Sequence, residues 1–169
     1  MFIQFLLAKR LTFLNEWVII QFGDNMHIDD SINFELFLSV LDETDTVRIP
    51  VNGRSMRPFL KEGRDKVVLT KADADLIKKG DIVVYKKGGS FLLHRVVSVD
   101  GEAFSIMGDN ETTPDCGISR QAVVASVESV ERCGKVIDKK HPLWRFYKIV
   151  FVNPPVRRVF HSLHKLRKA

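Results

Sequence analysis

The hydrophobic positions of this chain change period twice. Between Ser31 and Leu41, apolar residues recur at helical spacing: Ile32, Leu36 and Val40, with Phe37 and Leu41 beside them. Asp29, Asp30 and Ser31 place caps and negative charge at the start of that run, so a helix is expected there. From Val47 onward the apolar runs shorten and turn signals separate them. Strands are expected at 47–51, 66–70, 82–85, 91–99, 103–107 and 122–130. Residues 72–79 read as a connection with at most one helical turn, 86–90 as a hairpin loop, and 108–120 as a polar loop. Asp100-Gly101 is a tight hairpin signal. Many short strands between turns argue a mainly β, coiled antiparallel fold rather than βαβ units. Helical spacing then returns. Leu143, Phe146, Tyr147 and Val150 share one face, and Pro154-Pro155 interrupts the chain. Val156, Val159, Phe160, Leu163 and Leu166 form a second stripe, opposite Arg157, Arg158, His161, His164, Lys165, Arg167 and Lys168.

Composition adds domain boundaries. At 169 residues, 45% hydrophobic and 28% charged, the chain reads as one globular domain with terminal additions. The apolar first 25 residues end in Gly23-Asp24-Asn25 and read as an extension ahead of Met26; the alternative is a helix packed on the domain. The domain is then expected at 26–134, with a motif-bearing core at 47–130, and a basic tail at 135–169.

Charge sharpens the tail. The net +5 is uneven: Arg132 to Ala169 holds 11 Lys/Arg against Asp138 alone, a local +10, and the remainder carries −5. A basic footprint spread over the fold, as nucleic-acid binding requires, is absent, and no nucleic acid is expected as a partner. The tail reads either as helices packed on the domain with a solvated basic face, or as a basic amphipathic helix on an anionic membrane surface or acidic partner. No run reaches the ~18 uncharged apolar residues of a membrane span; Phe2 to Phe22 is interrupted by Lys9, Arg10 and Glu16. Cys116 and Cys133 have no metal-ligand or disulfide spacing and read as free thiols of a reducing compartment. A cytoplasmic protein is expected; on the second reading of the tail, its C-terminal helix makes peripheral contact at the inner membrane surface. Neither a metal nor a cofactor is called for.

Candidate chemistry centres on residues 51–65. Asn52-Gly53 breaks the preceding strand, Ser55 follows the turn, and Pro58 restricts the backbone beyond it. A rigid bend holding one serine hydroxyl suits a nucleophile, which also needs a base in reach. Of five histidines, only His94 lies within the β region. Alternation along 91–99 puts His94 on one face with Leu92 and Val96, while Phe91, Leu93 and Arg95 face the other way. Asp109 and Asp115, both in the polar loop, are alternative groups to orient His94; each also fits ordinary turn chemistry.

Ser55-Met56-Arg57-Pro58, Gly80-Asp-Ile-Val-Val84, His94-Arg95-Val96-Val97 and Gly108-Asp109-Asn110, taken in order, resemble the boxes of the type I signal peptidase family. That family shares its fold with the self-cleaving domain of LexA-type repressors. The resemblance spans 47–130. It implies a coiled antiparallel β fold of the signal peptidase/LexA type, here with an N-terminal helix and basic C-terminal helices. It also implies a serine endopeptidase acting on a peptide or leader sequence. The lysine of the bacterial enzymes is replaced by His94, as in the endoplasmic-reticulum and archaeal type. The resemblance makes Ser55 the nucleophile, His94 the general base and Asp109 or Asp115 the supporting acid. Gly53, Met56 and Pro58 would shape the substrate and oxyanion site, with the Ser55 N–H as one donor. Gly53 offers no side-chain donor of its own. A non-catalytic peptide- or partner-binding module on the same fold is the alternative.

Overall fold

The computed structural model of the protein describes residues 11–14, 17–20 and 30–166. β1 (Leu11–Leu14) and β2 (Trp17–Ile20) form an antiparallel pair, and Ile19 lies parallel to Arg48 of β3 (Thr46–Pro50). Strands therefore stand where a packed helix was the alternative. The rest of the segment expected as an extension, 1–10, 15–16 and 21–25, lies outside the described residues.

α1 (Asp30–Thr44) contains the expected helix, and its stripe residues Phe37, Val40 and Leu41 are buried. β4 (Asp65–Lys71), β5 (Ile82–Lys87), β6 (Ser90–Asp100) and β7 (Ala103–Met107) fall where alternation places strands. β8 (Asp115–Ser119) leads through a short 3-10 turn into β9 (Val123–Arg132). β10 (Lys135–Asp138), α2 (Pro142–Val152) and α3 (Pro154–Leu166) complete the chain.

The strands form one curled sheet, ordered β1-β2-β3-β4-β9-β5-β6-β7-β8, with β10 added against β9. Its interior strand β9 pairs with β4 along 125–132 and with β5 along 123–126. Such non-local pairing brings residues 51–65 beside 94–115.

Two expectations are corrected. The polar loop is shorter than its composition suggests, because Asp115–Ser119 pairs with β7 and satisfies that strand's outer edge. The tail begins with a strand: Cys133 and Gly134 both have positive φ (49° and 76°), and this turn folds β10 back on β9. Residues 72–79 form the expected connection, carried by successive turns.

Two apolar clusters lie on opposite faces of the sheet. The larger joins α1 (Phe37, Leu41), the loop residues Phe59 and Leu60, the sheet residues Val67, Leu69 and Val127, and Trp144 of α2. Phe59 and Trp144 meet edge to face at 5.4 Å, a geometry worth about 0.5–1.5 kcal/mol beyond burial. The smaller contains Val83, Tyr85, Val96, Phe104 and Ile106, with Leu92 packed against it. Leu92 and Val96 thus face away from Phe91 and Leu93, as the alternation requires.

Candidate active site

Ser55 sits on a loop that is closed at its base. The Val51 N–H donates to the Asp65 carbonyl at 3.0 Å, and the Lys61 N–H donates to the Asp65 carboxylate at 2.8 Å. Arg64 and Arg132 donate to the same carboxylate at 2.8–3.2 Å. Burial alone would raise the Asp65 pKa; the two guanidiniums outweigh it and hold the carboxyl below its usual range. Phe59 and Leu60, both fully buried, anchor the loop in the core. Gly53 turns at φ 81°, in the left-handed region.

The Ser55 carbonyl accepts the Asn110 N–H at 2.6 Å, which joins the serine loop to the loop after β7. That approach requires glycine at 108, because a Cβ there would stand 2.8 Å from the Ser55 carbonyl oxygen. Among the described residues, neither the Ser55 hydroxyl nor its backbone N–H has a hydrogen-bond partner. Both groups remain available to a substrate.

His94 is positioned by β6 and is 5% exposed. Val83 of β5 lies opposite it, so Tyr85, two residues along, is its diagonal neighbour on the same face. The Tyr85 hydroxyl donates to Asp115 Oδ2 at 2.6 Å and lies 3.1 Å from His94 Nδ1. Burial pushes the Asp115 carboxyl up, but the Lys87 ammonium and the Tyr85 hydroxyl hold it below its usual range. An ionised Asp115 takes the single Tyr85 proton, so the tyrosine oxygen accepts from Nδ1–H. The Nε2 lone pair is then left for a reacting proton. Burial, and secondarily the Asp115 carboxylate beside it, raises the Tyr85 pKa, so that hydroxyl stays protonated.

Nε2 lies 3.6 Å from Glu111 Oε1, and Glu111 Oε2 accepts the Gly108 N–H at 3.0 Å. Burial carries the His94 pKa below its ordinary 6.5 despite the opposing pull of Glu111, Asp115 and Asp109. His94 is therefore neutral at pH 7, the form a general base needs. Ser55, His94, Glu111 and Asp115 line one open cleft of about 610 Å³, together with Lys87, Leu92, Asn110, Thr112 and Thr113.

The other candidate residues lie elsewhere. Asp109 is fully buried and grips Arg95 through two bonds of 2.7 Å; Arg95 also donates to the Gly80 carbonyl at 3.0 Å. Asp109 makes no hydrogen bond to His94, since Arg95, on the opposite face of β6, consumes both its oxygens. Asp115 does line the cleft, but it makes no hydrogen bond to His94 and is linked to it by way of Tyr85. Met56 is buried in the larger core cluster, and Gly53, Met56 and Pro58 do not line the cleft.

Arg157 corrects the picture of the tail. Assigned by spacing to the exposed basic face, it is 5% exposed and turned inward. It donates to the Phe151 carbonyl at 3.2 Å, to the Glu111 carbonyl at 2.6 Å and to the Gly108 carbonyl. These carbonyls of the site loop and of the end of α2 draw the guanidinium in. Val156 and Val159 of the expected apolar stripe are instead exposed. The side chains of residues 161 and 163–169 lie outside the described residues.

Tyr85, Lys87, Glu111 and Arg157 are absent from the sequence reading of the site. Only Tyr85 carries a signal there: an aromatic hydroxyl in the strand adjoining His94. Among the described residues, no group of three or more His, Cys, Asp or Glu is placed to hold a metal ion, and no helix is long and apolar enough to cross a membrane.

A search of curated protein sequences finds no match to this chain. The family model described as Peptidase S24-like matches residues 17–137, from β2 to β10 and thus the whole of the Ser55–His94 cleft, and the chain belongs to that family.

Proposed function

We propose that this protein is a serine endopeptidase of the signal-peptidase type, with Ser55 as nucleophile and His94 as general base. The observation that carries the reading is the Asp115–Tyr85–His94 chain, which fixes the histidine tautomer with Nε2 toward the cleft that Ser55 lines. Nε2 takes the Ser55 hydroxyl proton while Oγ attacks the scissile carbonyl carbon. The Ser55 N–H receives the developing oxyanion. The imidazolium formed is stabilised by Glu111 across the cleft and by Asp115 through Tyr85. It returns its proton to the amine nitrogen as the C–N bond breaks, leaving an ester on Ser55. Water, deprotonated by the same Nε2, then attacks the ester carbon, and the imidazolium returns that proton to Ser55 Oγ as the ester C–O bond breaks. The substrate is an extended peptide with small side chains near the cut, such as a leader or signal sequence, met in the cytoplasm or at the inner membrane surface.

A non-catalytic binding module is the rival, favoured by one observation. No hydrogen bond joins Ser55 to His94, and Glu111 faces Nε2 instead. Free enzymes commonly show catalytic bonds that tighten only with substrate. Labelling by a serine-directed fluorophosphonate decides between them. The peptidase labels at Ser55, and Ser55→Ala and His94→Ala each abolish labelling. Absence of labelling in the native chain, or labelling that survives both substitutions, overturns the assignment.

A further inference from the structure

The C-terminal helices present apolar side chains to solvent where the sheet does not need them. Phe146 and Ile149, one turn apart on α2, are 53% and 63% exposed; Val156 and Val159, one turn apart on α3, are 39% and 60% exposed. The opposite faces are spent on the domain. Trp144, Val150 and Phe151 of α2 are buried, and Arg157 and Phe160 of α3 turn inward against Phe151. The outward residues are therefore left at the surface by how the helices seat, not for lack of a core to join.

Charge identifies what covers them. No acidic residue follows Asp138, while nine Lys and Arg do. Arg145 and Arg158, each adjacent in sequence to an outward apolar residue, are exposed and have no ion-pair partner among the described residues. We infer that the outward faces of α2 and α3 form a docking surface for an anionic lipid bilayer. Convex apolar side chains flanked by long cationic ones suit an interface where the hydrocarbon ends enter the acyl boundary and the guanidiniums meet lipid phosphates. An acidic protein would need a matching apolar groove as well as charge. The surface includes α2, so it is not the property of the terminal helix alone. It stands independently of the peptidase reading.

The test is co-sedimentation of the full chain with vesicles of phosphatidylcholine containing one-third phosphatidylglycerol, against phosphatidylcholine alone. Binding is expected only with the anionic vesicles and should weaken with salt. Arg145→Gln with Arg158→Gln should weaken it about thirtyfold, and Phe146→Ser with Ile149→Ser at least tenfold. All four positions are exposed, and an unchanged thermal midpoint verifies folding. Failure to bind the anionic vesicles at low salt overturns the inference. So does binding indifferent to the Phe146/Ile149 pair, and so does equal binding to soluble polyglutamate, which would mark an acidic macromolecule as the partner.

Discussion

Replacing Tyr85 with Phe removes a single oxygen from the site and tests how His94 is oriented. Tyr85 is fully buried, its hydroxyl 3.1 Å from His94 Nδ1 and 2.6 Å from Asp115. Phe fills the same space, so the fold should survive with a cost of about 1–3 kcal/mol from the polar atoms left unpaired. The catalytic cost is different in kind. In the proposed reaction, once His94 takes the serine proton the Nδ1–H bond to Tyr85 becomes a bond from a cation, and Asp115 acts on that cation through the same oxygen. A hydrogen bond of this charged type is worth about 2 kcal/mol, so acylation should slow about thirtyfold. The assay is the second-order rate of fluorophosphonate labelling of Ser55 across pH 5–9. The His94 pKa, followed by the ring-proton shifts in NMR, should fall further, because the charged form loses its partner. Asp115→Asn should cost about as much, and the double variant little more, since both act through one chain. Wild-type labelling by Tyr85→Phe with an unchanged His94 titration would refute the relay and return the orienting role to another group.

The remaining predictions concern the frame around the site. Native labelling should rise with pH through the His94 pKa, which burial sets below 6.5, and an inflection above 7 would contradict the neutral-base assignment. Asp109→Asn strands a fully buried Arg95 and should cost about 3–5 kcal/mol in urea unfolding; a loss under 1 kcal/mol would mean the pair is not what holds that loop. Asp65 has a folded pKa below its ordinary 3.8, so its contribution is present above that value and lost as pH falls through the folded pKa. Asp65→Asn should therefore destabilise by about 2 kcal/mol at pH 6 and flatten the acid limb of stability below pH 4, whereas an unchanged acid limb would place that limb's origin elsewhere.

Where a physical signal is periodic, the sequence carries it. The apolar stripe of α1 and the alternation of Phe91–Val99 needed no partner to be read, and they place the helix and put His94 on the face of Leu92 and Val96. The pairing of Asp115–Ser119 with β7 is different: nothing in Asp115-Cys-Gly-Ile-Ser119 resembles a strand, and only the open edge of β7 makes it one. The different placements of Asp109 and Asp115 around His94 were equally invisible. They depend on Arg95, which points to the far face of β6 and claims Asp109, and on Tyr85, which a β5–β6 register sets diagonal to His94. Amphipathic spacing assigned Arg157 to solvent because spacing counts polarity and not the carbonyls waiting beneath.

That inward Arg157 has a mechanical consequence. The matched family segment stops at residue 137, yet the loop presenting Glu111 and gripping the Ser55 carbonyl is tethered from residue 157. The family segment and the segment that ties the site loop in place are thus different lengths of chain. A pull on α3 reaches the Ser55 backbone in two steps, from guanidinium to the Gly108 and Glu111 carbonyls and from the Asn110 amide to Ser55 itself. A fragment trimmed at the family boundary would keep every residue that lines the cleft and lose the guanidinium that ties the Gly108 and Glu111 carbonyls together.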